Sequence, residues 1–200
     1  SQRSGCALWI KAGIYPGGFS LEDGVRLHGG FGGTESTMAQ RPADTQARPT
    51  VIDAGGSTSG FSYQNGVAKS DLARRARIEG LTVTNAGQSG LRAVDASPIV
   101  DNCLFVDNQG PNGGALSLTR AHAIITKSAF RQNRAQSGAN GVMATGKQGT
   151  AGAAGGHGGA IYSVDSELTL SDSLFLFNAA GDGGSGGRGS DGHYTAQDYD

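Results

Sequence analysis

Three segments of this 200-residue chain read Phe-x-x-Asn, with Phe105 before Asn108, Phe130 before Asn133 and Phe175 before Asn178. A similar segment at residues 81–85 closes on Asn85, so the asparagines fall 23, 25 and 45 residues apart. The last gap is one 25-residue unit plus about 20 inserted residues. Two units also carry Gly-Gly-Ala-aliphatic, at Gly113-Gly114-Ala115-Leu116 and Gly158-Gly159-Ala160-Ile161, each 19 residues from its second glycine to the next Asn. A fixed period of this length, built from short β-branched and apolar runs instead of helical stripes, is the signature of one supersecondary unit stacked on its neighbours.

Two hundred residues stacked this way make one elongated domain, because each unit buries its apolar side only against the next. Before residue 77 the chain reads as irregular rungs: runs such as Leu8-Trp9-Ile10, Ile14-Tyr15 and Val25-Arg26-Leu27 alternate with Gly, Pro and Asp punctuation, too short for helices. The polar stretch 35–49 reads as a loop leaving the stack, and 69–77 as a solvated loop or strand edge. Residues 77–180 are the regular rungs. Alignment on the asparagines predicts core columns Leu81, Leu104, Ala129, Leu174 and Val100, Ile125, Leu170. The chain reads as all-β. Rungs of 23–25 residues without a six-residue pattern predict a right-handed, three-sided parallel β-helix, a solenoid whose crossovers follow the usual hand. Asn85, Asn108, Asn133 and Asn178 are expected to form an internal ladder of side-chain amides.

Glycine is in excess, 35 of 200, and gathers in two stretches, 138–157 and 181–200. These read as flexible or extended loops inserted in the solenoid, so removal of 140–154 is expected to leave the rungs folded. Gly186-Gly187-Arg188-Gly189-Ser190-Asp191 matches the first six positions of the calcium-binding nonapeptide GGxGxDxUx. Only one copy is present and His193 stands at its large aliphatic position, so a plain loop without metal is the leading reading; Asp191, with Asp182 nearby in the same stretch, is the candidate calcium ligand set, and no other cofactor is indicated.

Charge is balanced, 16 basic against 17 acidic residues, which gives no basic field for nucleic acid or an anionic membrane. No apolar run is long enough for a spanning helix. Cys6 and Cys103 lack zinc-ligand spacing and read as small buried residues, and the four histidines read as surface or turn residues. In the predicted register one outward column holds Asp95, Arg120 and Asp165, and its neighbour holds Arg92, Ser117 and Tyr162. This is the candidate groove. The stacked charges favour a stabilising ladder, with a carbohydrate-binding or catalytic face as the rival.

The alternation of Gly-Gly-Ala-Ile/Leu with Phe-x-x-Asn resembles the repeat of the polymorphic outer-membrane-protein family of bacterial surface autotransporters. The opening, from Trp9 through Tyr15 and from Leu21 to Glu35, is similar to the first rungs of secreted right-handed β-helix proteins of Gram-negative bacteria. The resemblance implies an extracellular or outer-membrane-associated location and structural or adhesive duty. Its partner is then an extracellular polysaccharide, another surface protein or a further copy of itself, and the start without Met and the glycine-rich stretch at the other end are expected to mark a piece of a longer chain. Similar β-helices include polysaccharide lyases and hydrolases, which is the alternative function.

Overall fold

Among the described residues every sheet strand is parallel to its neighbours. The computed structural model describes residues 5–66, 71–142 and 150–186. Three sheets dominate. The first stacks Cys6–Lys11, Val25–Phe31, Arg77–Glu79, Ile99–Asp101, His122–Thr126 and Glu167–Ser171; the second Gly13–Pro16, Thr50–Asp53, Leu81–Thr84, Leu104–Val106, Ala129–Arg131 and Leu174–Leu176. The third holds Phe19–Leu21, Phe61–Gln64, Leu91–Val94, Leu116–Thr119 and Ile161–Val164, and Gln109–Gly110 with Arg134–Ala135 adds a two-stranded ribbon. The chain visits the sheets in the same order each time, so successive circuits stack as rungs, an all-β arrangement compatible with a parallel β-helix. The first two rungs pair in the same parallel manner, with one register shift between Trp9 and Lys11, where Lys11 faces Phe31.

In-register parallel pairing, at about 4.8 Å between rungs, brings each side chain against its equivalent. Phe105, Phe130 and Phe175 stack inside with centroids 5.4 and 4.7 Å apart and nearly parallel rings. Their column continues back through Val83, Ile52 and Tyr15. Val100, Ile125 and Leu170 form an inward column with Ile78. Leu104, Ala129 and Leu174 also align, but with Thr82 instead of Leu81, and of these only Thr82 is buried. The phenylalanines one position later occupy the core because side chains alternate across the strand.

Asn108 and Asn133 are 1 and 0% exposed. Asn108 Nδ2 donates to Val83 O at 2.9 Å and Asn133 Oδ1 at 3.0 Å. Asn133 Nδ2 repeats this toward Phe105 O and Asn178 Oδ1, and Asn178 Nδ2 toward Phe130 O. Each Oδ1 also accepts the backbone N–H of the preceding asparagine. Asn85 stands outside this chain. Its place is taken by Ala86, whose N–H meets Asn108 Oδ1 at 3.1 Å, while Asn85 falls in the left-handed bend column with Asp107, Gln132 and Phe177 and donates to Asp53. The rung between Val83 and Phe105 spans 22 residues, one fewer than the spacing of Asn85 and Asn108.

The glycine-rich stretches differ from free loops. Residues 136–142, 150–156 and 180–186 lie side by side as three strands outside any sheet. Gly138 and Gly141 N–H bond to Asp182 and Ser185 O; Ala153 and Gly156 N–H bond to Ala139 and Gln136 O; Gly181 and Gly184 N–H bond to Gly156 and Ala153 O. The outer two run parallel and the middle one returns antiparallel. Each donates once every three residues, matching glycine at every third position: 138 and 141, 152 and 155, 181 and 184. This is the logic of polyproline-II bundles, where only glycine fits at the shared axis. A Cβ on Gly181 or Gly184 would strike Gln136 O or Ala139 O, whereas one on Gly183 meets nothing within 4 Å. Gln136 and Gly156 are bonded to each other where the insert leaves and re-enters the stack. Deletion of 140–154 thus removes a strand of a packed bundle instead of slack chain.

Two substitution pairs check this architecture. Asn133→Ala leaves buried amide partners unpaired and should cost about 1 to 3 kcal/mol in urea unfolding. Asn85→Gly, which keeps the left-handed bend, should cost less than about 1 kcal/mol; equal losses would contradict the register. Gly184→Val should lower stability by about 1 to 3 kcal/mol through backbone collision, with Gly183→Val within about 0.5 kcal/mol of the parent. Two neutral outcomes would mean the bundle does not hold in solution.

Candidate functional site

The outer face of the first sheet carries two side-chain columns. One reads Ala7, Arg26, Arg77, Ile99, Ile124 and Thr169; the other reads Trp9, His28, Glu79, Asp101, Thr126 and Ser171. Both follow from strand alternation: the intervening Leu8, Leu27, Ile78, Val100 and Ile125 turn inward. Arginines 26 and 77 lie directly across from each other, a like-charge juxtaposition that costs energy unless something answers it. Arg77 is answered by Asp101 at 3.3 Å and Glu79 at 3.8 Å. Arg26 turns one nitrogen to Ala73 O at 3.1 Å and stays exposed.

Glu79 is the hub of the second column. It meets the Arg41 guanidinium, and His28, 7% exposed, places Nδ1 3.2 Å from its Oε2. The His28 imidazole first, and Arg41 with it, hold the Glu79 carboxyl down to about 2. Asp101 continues the column by accepting from Thr126 Oγ1 at 2.8 Å.

Arg41 belongs to the polar stretch 35–49, which is strapped to the stack. Glu35 accepts the N–H groups of Gly32, Gly33 and Thr34, which also hold its carboxyl down to about 2, Gly32 foremost. Thr45 is buried against Asn102, and Gln46 accepts from Thr82. Arg41 lies 5.7 Å from the Phe31 ring, on which Trp9 stacks in parallel at 5.0 Å. From the other side Arg75, 3% exposed, crosses the rungs to the carbonyls of Ser97, Pro98 and His122. Burial lowers its pKa, yet a guanidinium stays charged.

Between these walls lies a cleft of about 570 Å³ lined by Ala7, Trp9, Arg26, His28, Met38, Leu72, Arg75, Arg77 and Ile99. None of its lining residues is acidic. A second, smaller recess of about 190 Å³ adjoins it across Leu72 and Arg75, lined also by His122, Ile124, Glu167 and Thr169. The arrangement can hold an anion beside a flat aromatic surface.

The structure places Asp95, Arg120 and Asp165 in one column, all at left-handed bends, with Arg92, Ser117 and Tyr162 aligned on the adjoining strands. Arg120 Nε and Nη2 both bond to Asp95, each at 2.7 Å. Asp165 makes no ion pair among the described residues, because the guanidinium fork is turned wholly to Asp95. That pair holds the Asp95 carboxyl below its usual value, through the Arg120 hydrogen bond foremost. Asp182 bonds Arg134 at 2.5 Å, while Asp191 lies outside the described residues. Among the described residues no three metal-ligating side chains cluster, and no helix is long and apolar enough to cross a membrane. Cys103 is buried and its thiol pushed up to about 12 by desolvation, but Cys6 is exposed. His28 is a buried member of a charged column, not a surface or turn residue.

The sequence does not single out Trp9, Arg26 and His28 because their rungs lack the asparagine that sets the alignment, nor Arg77, because the charged stretch 69–77 carries no apolar pattern. The signal present was the alternation Val25-Arg26-Leu27-His28, polar outside and apolar inside. The chain matches no family model, no curated protein and no solved structure.

Glu35 and Glu79 both fasten the 35–49 strap as carboxylates. Groups with depressed folded pKa values stabilise fully above the ordinary value of 4.5 and lose that contribution as pH falls toward about 2. Hydrogen exchange should therefore show the strap amides losing protection across that window before the rungs do. Glu79→Gln should release part of the strap at pH 7; a strap still protected near pH 2 would contradict the assignment.

Proposed function

We propose that this chain is a segment of a right-handed, three-sided parallel β-helix that serves a secreted or cell-surface bacterial protein as a structural and adhesive element. The observation that carries the reading is the parallel stack of rungs, in which the asparagine ladder joins the three rungs of Asn108, Asn133 and Asn178 from within. Such a rod is stiff, and its outward columns offer repeating side chains to a partner over a long face. The right hand follows from the general rule for parallel crossovers. Resemblance of the Gly-Gly-Ala and Phe-x-x-Asn units to surface autotransporter repeats supports the location outside the cell.

One observation favours a second reading as a carbohydrate-active enzyme: His28 and Glu79 stand 3.2 Å apart beside a cleft. Against it, a carboxyl held near 2 and paired with Arg41 is a poor general acid at neutral pH. Incubation with acidic and neutral extracellular polysaccharides should release no reducing or unsaturated ends. Release that disappears in both His28→Ala and Glu79→Gln would replace the scaffold reading with the enzymatic one.

A further inference from the structure

Resting on the adhesive reading, we propose that the first-sheet cleft is a binding site for an acidic saccharide, its sugar ring on Trp9 and its anionic group on Arg26 and Arg77. Four observations converge. Arg26 and Arg77 are stacked in register, so their like charges repel unless an anion lies between them. Arg77 is already answered by Asp101 and Glu79, but Arg26 has, among the described residues, a carbonyl alone, which leaves the positive charge of the pair on its exposed member. Trp9 is 42% exposed and its ring is held flat on Phe31, a fixed apolar surface for the C–H face of a pyranose. The cleft, at about 570 Å³ without an acidic lining residue, has the dimensions of a small-ligand site.

The opposing charges nearby are accounted for. Glu79 is turned to Arg41 and His28, Asp101 to Arg77 and Thr126, and Glu167 lines the adjoining recess, where it acts on Arg75. A guanidinium fork binds carboxylate and sulfate alike, so the shared chemistry is a sugar bearing an oxyanion. Single-stranded nucleic acid would use the same elements but calls for a basic field and successive aromatic platforms, whereas this chain has a net charge of −1 and the cleft one aromatic.

The test is calorimetric titration with an oligogalacturonate, its fully methyl-esterified form, a sulfated chondroitin oligosaccharide and a single-stranded oligonucleotide, followed in parallel for new sugar ends. The inference expects binding of one or both acidic saccharides, the tighter identifying the anion, and none of the ester. Arg26→Gln and Trp9→Ala should each weaken binding about tenfold or more, with melting curves like the parent's, and Asp95→Asn on another column should change nothing. No binding by the folded protein, equal binding of the ester, indifference to Arg26→Gln, or preference for the oligonucleotide would each overturn it. Turnover with intact binding would instead remove the scaffold reading and leave the cleft's ligand class standing.

Discussion

Parallel strands in exact register force every residue to lie against its own equivalent one rung away, and the rest of the molecule is an answer to that constraint. Identical neighbours suit some chemistries and not others. Phenylalanines stack, asparagines hand an amide from rung to rung, and Ser128 Oγ accepts the N–H of Cys103 while Ser173 Oγ accepts that of Ser128. Like charges do not suit it. Where the sequence stacks Arg26 on Arg77, the two side chains diverge, and the cleft between the strap and Arg75 opens at that point.

The same constraint explains the glycine-rich bundle. Once rungs hold two equivalent points of the chain at one spacing, the segments leaving them begin side by side, and parallel strands 136–142 and 180–186 extend the stack outward in a second geometry. Their hydrogen bonds come at every third residue instead of at alternate ones, so the glycine period is three. Glycine there supplies close approach of backbones, which gives the stretches a packed architecture. The bundle is pinned to the rungs by Arg134 and Asp182.

Much of this was legible in the sequence wherever a rung carries its Phe-x-x-Asn mark. Asn108, Asn133 and Asn178 and the Asp95–Arg120–Asp165 column align from spacing alone, since Gly-Gly-Ala fixes the phase across the insert. Asn85 misled because the rung behind it is one residue shorter and places Val83 and Ala86 where later rungs place Phe and Asn. Alignment on Asn85 sets Leu104 beside the buried Leu81, whereas the structure pairs Leu104 with Thr82. The bundle's period of three was present in the glycine positions but hidden by counting glycine as composition. The cleft was beyond spacing altogether: it joins residues 9, 26, 77 and 99 from four rungs with 38 from the strap, and no repeated mark brings them together.

The central claim is that buried polar groups of successive rungs answer one another through the stack. Side-chain amide hydrogen exchange measures this directly at Asn133, which is fully enclosed and bonded to both neighbouring rungs. The account predicts that its Nδ2 protons exchange as slowly as the surrounding strand amides, and far more slowly than those of Asn85 on the bend. Exchange of Asn133 at the rate of a solvent-exposed amide would contradict it.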